Sequence, residues 1–152
     1  LILVDTNVWS ELAKPDGDPT VLAWLEANDH QLALSTLVMA EIQYGIELPK
    51  AARKRPHLTL WLRGLEERYW SHVWHFDAED ARAYGRLAAS KEANARDPQI
   101  IDLQLAAQAL ARGASLATRN VKDFAWTGVP VIDPWENEPQ QNPQHPSQMP
   151  DR

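Results

Sequence analysis

A chain of 152 residues with 44% hydrophobic content can bury one real core, and no composition shift before its last stretch suggests a second domain. It has no cysteine, which excludes disulfides and thiolate metal sites, and no apolar run approaches the roughly 18 residues of a membrane span. A formal charge of −6 argues against tight nucleic-acid binding by a broad basic surface, but not against chemistry in which a cation offsets acidic groups at a phosphate. No membrane association is expected, and a cytoplasmic location is the simplest expectation.

The first residues, Leu1 to Val4, are four aliphatics in a row and predict a short strand buried on both faces, as in parallel sheets. The run ends on Asp5, at the carboxyl end of a strand, where open α/β sheets bind ligands. Asp5 could equally do no more than cap the next helix. Thr6 and Asn7 are further caps for a helix over Val8 to about Lys14, stopped by Pro15. Asp18-Pro19 reads as a second helix start, with Val21, Trp24 and Leu25 on one face. Leu32 to Leu34 predicts a second strand, and Ser35 or Thr36 caps a helix from Leu37 to about Leu48.

Glu41 stands on that helix among Leu37, Val38, Tyr44 and Gly45, an apolar face on which a lone carboxylate is costly. The basic segment Lys50 to Arg55 reads either as a solvated turn or as a phosphate-contacting loop. A helical stripe follows at Leu58, Trp61, Leu62, Leu65 and Tyr69, then a third strand at Val73 to Phe76. His72 and His75 are spaced as a poor ligand pair. Asp77 caps an expected long helix over Glu79 to Asn94, and Asp97-Pro98 repeats the start signal of Asp18-Pro19 for a helix over Gln99 to Arg112, ended by Gly113. Asp102 lies in this alanine-rich helix, with Leu105, Ala106 and Ala109 along its face, and aspartate is a poor residue inside a helix. Ser115 to Ala117 predicts a strand running into Thr118-Arg119-Asn120. A turn with Asp123 follows, and then an edge strand, Val129 to Ile132. From Glu136 the chain is rich in proline and glutamine with almost no aliphatics, the composition of a disordered tail. Alternating strands and helices predict an α/β layered fold with a mainly parallel small sheet flanked by helices.

Three acids, Asp5, Glu41 and Asp102, share an unusual placement, and Asn120 and Asp123 follow another strand end. If they converge, several carboxylates at one place require a cation or protonation. With no cysteine and no spaced histidine pair, the ligands are oxygens, which suit Mg²⁺ or Mn²⁺ and phosphoryl chemistry.

The segments LVDTNVWSE (Leu3 to Glu11), AEIQYG around Glu41, DLQLAAQAL from Asp102, ATRNVKDF from Ala117 and DPW at Asp133 to Trp135 together resemble PIN-domain ribonucleases of the VapC toxin type, FitB-like proteins among them. The resemblance spans about Leu1 to Trp135. It implies a three-layer α/β fold and a metal-dependent endoribonuclease that leaves a 3′-hydroxyl and a 5′-phosphate. By the same resemblance, Asp5, Glu41 and Asp102 hold Mg²⁺ (or Mn²⁺), and Thr6, Asn7 and Thr118 shape the site. A fourth acid typically follows the Thr-Arg pair, but this chain has Asn120 there, so Asp123 is expected to assist. A homodimer and a VapB-like antitoxin covering the site are also implied. Arg53, Arg55 and Arg119 are the expected RNA contacts. A haloacid-dehalogenase-like phosphatase would need a second aspartate at position 7, which is Asn7. A PIN module that binds RNA or a protein partner without cutting is the alternative of another class, and a purely structural role for the acids is a further one.

Overall fold

Ile2–Val4 (β1) occupies the centre of a five-stranded sheet because all three side chains are buried and both of its edges are paired. The computed structural model describes residues 1–136, so the expected tail beyond Glu136 lies outside the described residues. In chain order the elements are β1, α1 (Thr6–Trp9), α2 (Pro19–Ala27), β2 (Leu32–Ser35), α3 (Thr36–Glu47), α4 (Arg55–Arg68), β3 (Val73–Trp74), α5 (Ala78–Ala88), α6 (Lys91–Arg96), α7 (Ile100–Ala111), β4 (Ser115–Ala117), α8 (Val121–Phe124) and β5 (Val131–Ile132), with short 3₁₀ turns between some of them. The strand order is β3-β2-β1-β4-β5 and every pairing is parallel. Ile2 faces Leu32 on one side and Ser115 on the other. The chain therefore builds outward from β1 to β3, then returns to lay β4 on the opposite side of β1. Between β1 and β4 the strand order reverses, and the carboxyl ends of those two strands flank a crevice of the kind where open α/β sheets bind ligands.

The core is aliphatic. Leu3, Val4, Leu32, Leu34 and Leu116 are fully buried, each such side chain contributing roughly 1.5–3 kcal/mol. Trp9 is also fully buried and meets Tyr69 at 4.8 Å between ring centroids, which joins the first helix to the end of α4. Among the described residues, no helix is long and apolar enough to cross a membrane.

Several boundaries differ from the sequence-based expectation, each for a local reason. The first helix starts at Thr6 rather than Val8, because Asp5 itself is the N-cap and its Oδ1 accepts the Thr6 N–H at 2.7 Å. The single helix expected over Glu79 to Asn94 is two, α5 and α6. Ser90 divides them: its hydroxyl donates to the Leu87 carbonyl at 2.7 Å and accepts the Ala93 N–H at 3.2 Å, closing one helix and opening the next. Asp97-Pro98 is not a helix start. Pro98 bars Asp97 from the helical region, and Asp97 adopts a left-handed conformation (φ 48°) that ends α6. Helix α7 begins only at Ile100, so Asp102 lies in its first turn, not its interior. There the helix dipole favours a negative charge. His72 and His75 flank β3 instead of lying within it. The third-strand and last-strand segments shorten to two residues each.

Candidate active site

Asp5 leaves β1 at the reversal of strand order and is 6% exposed. Its backbone N–H donates to the Ala117 carbonyl at 2.9 Å, which fixes the end of β1 against the end of β4. Its two carboxylate oxygens have different partners. Oδ1 takes the Thr6 N–H, while Oδ2 accepts the Thr118 hydroxyl at 2.8 Å and the Asn7 side-chain amide at 3.5 Å. The capping role and the site role thus fall on separate oxygens of one residue. The Thr118 hydroxyl is saturated: it donates to Asp5 and accepts from the Asn7 amide at 3.4 Å and from the Asn120 N–H at 3.1 Å. Asn7 Oδ1 accepts the Arg119 N–H at 3.2 Å. These bonds lock the loops after β1 and β4 together around one carboxylate.

Glu41 reaches the same place from α3, where its Oε1 accepts the Thr6 hydroxyl at 3.0 Å. It sits at the rim of its helix face, half-buried. The buried stripe of α3 is Val38, Ile42 and Ile46, and Tyr44 is exposed. Asp102 arrives from the first turn of α7. The acids lie close enough for their charges to act on one another. Burial pushes Asp5 up in spite of its hydrogen bonds from Thr118 and Thr6, and the Asp123 charge adds to the rise. Burial likewise raises Glu41 against its bond from Thr6, helped by the charges of Asp5 and Asp102. Asp102 is pushed up to about 6 by burial and by the charges of Asp5 and Asp123. Asp123 is exposed on α8 and contributes to this field from the open side. Coulombic coupling acts over several ångströms, whereas ligation requires about 2.0–2.6 Å. Accordingly, among the described residues no three His, Asp or Glu side chains stand close enough to hold one ion as they lie. The acids feel one another's charge without forming a closed cage.

The other expected residues divide. Asn120 is exposed and touches the network through its backbone. Arg119 is exposed, with its guanidinium 4.9 Å from the Trp135 ring. Arg53 is exposed. Arg55 does not stand free for RNA: its guanidinium donates to the carbonyls of Ile46 (2.9 Å), Leu48 (3.2 Å) and Glu47 (3.4 Å) at the end of α3. It opens α4, with Pro56 in the first turn.

Sequence reasoning missed a buried polar chain behind the acids. Ser35, the N-cap of α3, donates to Gln108 of α7 at 2.6 Å. Gln108 donates to Asp80 at 3.2 Å, and Arg112 donates to the same Asp80 oxygen at 3.1 Å. Asp80 is 1% exposed and also completes a capping box with Asp77. This chain ties the helix bearing Glu41 to the helix bearing Asp102. Its available signals were a glutamine inside an apolar helix and the Asp77-x-x-Asp80 spacing. Also missed were Arg96, Lys122 and Trp126, which line a cavity beside Asp102 and Asp123.

A parallel α/β sheet with an acid at the end of its first strand, a second and third acid on flanking helices, and a Thr-bearing loop closing on the first acid defines a class of acidic-cleft domains suited to phosphoryl chemistry. The chain belongs to the PIN domain family, which matches residues 2–127. It is 34% identical over 141 residues to the VapC ribonuclease Y4jK of Sinorhizobium fredii, covering 90% of this chain and 99% of that protein. It is 27% identical to the toxin FitB of Neisseria gonorrhoeae, covering 90% of this chain and all of that one. The crystal structure of FitAcB from Neisseria gonorrhoeae superposes with a TM-score of 0.81 at 27% identity, covering 90% of this chain and all of that one.

Proposed function

We propose that this chain is a metal-dependent endoribonuclease and the toxin half of a toxin–antitoxin pair. What supports the reading is that Asp5, at the crevice between β1 and β4, lies within range of the charges of Glu41 and Asp102, each of the three being raised in proton affinity by burial and by neighbouring acids. The names of the relatives, a ribonuclease and a toxin, support the same reading. Such a cluster of oxygen donors fits a hard divalent cation, Mg²⁺ or Mn²⁺, and offers nothing that zinc prefers. Asp5, Glu41 and Asp102 would hold the ion, with Asp123 assisting in place of the acid that Asn120 replaces. When bound, the ion supplies charge neutralisation at a phosphate oxygen and acidifies water.

The residues of the chain do the rest. Thr6 and Thr118 orient Asp5 and Glu41 through their hydroxyls, which limits how far these carboxylates must move to close on an ion. One of the three carboxylates would take the proton of the attacking water. Hydrolysis then leaves a 3′-hydroxyl and a 5′-phosphate. RNA contacts fall to Arg53 and Arg119. A VapB-like antitoxin covers the cleft and the chain pairs as a homodimer, both working in the cytoplasm. The apolar residues Tyr44 and Ile100, 69% and 63% exposed beside the cleft, offer surface for such partners.

The test is cleavage of end-labelled single-stranded RNA by the purified chain with Mg²⁺ or Mn²⁺, alongside calorimetric Mn²⁺ binding. Cleavage that EDTA and Asp5→Asn both abolish supports the reading. A folded wild type that neither cuts RNA nor binds Mn²⁺ makes the chain a non-catalytic PIN module. Full activity in Asp102→Asn or Glu41→Gln would overturn the site assignment.

A further inference from the structure

A cavity of about 400 Å³ opens beside Asp102 and Asp123, lined also by Arg96, Lys122, Gln99 and Trp126 among others. Its size is that of a small-ligand pocket, enough for one nucleobase with part of its sugar. Trp126 forms a fixed wall. Its indole Nε1–H donates to the Asp123 carbonyl at 2.9 Å, which orients the ring, and the Arg96 guanidinium lies 5.4 Å over the ring centre. The same tryptophan also lines a second cavity, of about 430 Å³, and is not part of the buried core.

The geometry points to this cavity as the subsite for the base of a nucleotide next to the scissile phosphate in single-stranded RNA, stacked on the Arg96–Trp126 pair. The inference rests on the ribonuclease reading above. The shape and surface of the lining select a base. A flat ring of this size fits against the indole and guanidinium planes, and Gln99 and Asp97 can accept hydrogen bonds from its edge. Recognition of unpaired bases by stacking on aromatic rings and guanidinium planes is the ordinary mode for single-stranded RNA. Lys122 is positioned to meet the backbone where the strand leaves the cavity towards Asp123.

The experiment measures fluorescence anisotropy of a labelled, randomised single-stranded RNA 12-mer and of an abasic 12-mer, with Ca²⁺ as an oxygen-ligated divalent ion. The proteins are the wild type, Trp126→Ala, Trp126→Phe and Arg96→Gln. Folding is checked by circular dichroism, and RNA integrity on a gel. The wild type should prefer the base-bearing strand. Trp126→Ala should lose about 5- to 100-fold in affinity and most of that preference, and Trp126→Phe should keep both within about threefold. Arg96→Gln should fall between them, with calorimetric Mn²⁺ affinity not weakened in any variant. Equal binding by folded wild type, Trp126→Ala and Arg96→Gln would overturn the subsite alone. So would a wild type that binds both strands equally, a result that stands even if Trp126→Ala fails to fold. No RNA binding by the wild type would overturn both the subsite and the ribonuclease reading.

Discussion

Asp102→Asn should make the protein more stable at neutral pH while silencing it. In the folded chain the Asp102 carboxyl is raised from its ordinary 3.8 to about 6. Below about pH 4 both the folded and unfolded chains carry the proton, and the group contributes nothing. Between about pH 4 and 6 the unfolded chain releases a proton that the folded chain retains, so stability falls as pH rises. Above about pH 6 the full cost is present. Each pH unit of displacement is worth about 1.4 kcal/mol, which sets a ceiling of roughly 3 kcal/mol. The carboxyl is only half-buried, and solvent screening reduces this to about 1–2 kcal/mol. The favourable dipole of the first turn of α7, about 0.3–1 kcal/mol, is lost with the charge and leaves a net gain near 1 kcal/mol. Asp5 and Glu41 are raised as well and bias the wild type in the same direction. The assay is urea unfolding of wild type and variant at pH 4 and pH 7.5 in EDTA. The variant should gain about 1 kcal/mol at pH 7.5, roughly 2–4 °C in melting temperature, and nothing at pH 4. A variant equally or less stable at pH 7.5, or one whose gain persists at pH 4, would refute the electrostatic account of the cleft.

Arg112→Met should cost about 3 kcal/mol in urea unfolding, because Asp80 would remain buried with its cationic partner gone. A loss under about 1 kcal/mol would show that the capping box and Gln108 satisfy Asp80 unaided. Arg55→Met should lower stability by about 1–2 kcal/mol through the uncapped end of α3, and leave RNA cleavage per folded molecule unchanged. Arg53→Glu should do the reverse, weakening cleavage with the melting temperature held. Cleavage lost in Arg55→Met at full stability would return that arginine to the substrate.

Local pattern alone carried much of this protein. Aliphatic runs bounded by turns marked the strands, because a strand covered on both faces needs continuous apolar residues. Asp18 and the Ser35-Thr36 pair marked helix starts because such side chains supply acceptors for free N–H groups, and the fold uses Asp18 and Ser35. Asp5, Glu41 and Asp102 were visible as charges where burial makes charge costly, and the order of the motifs around them carried the family. What failed were the places where two local signals compete. Asp97-Pro98 has the letters of a helix start, yet the preceding helix ran into it and used Asp97 as a left-handed stop. Ser90 broke a helix whose apolar pattern runs on without a pause.

Only the tertiary structure decided which polar groups meet. Asp5 and Thr118 lie 113 positions apart and are joined because β4 returns beside β1 after β3 has been laid down on the far side. The same return brings Arg96, Lys122 and Trp126 to one wall of the cleft and commits Arg55 to a helix end. Sequence records the burial preference of each residue through its neighbours along the chain. Partnership across the fold depends on strand order and helix placement, which come from the free energy of the whole core and which no short stretch of residues encodes.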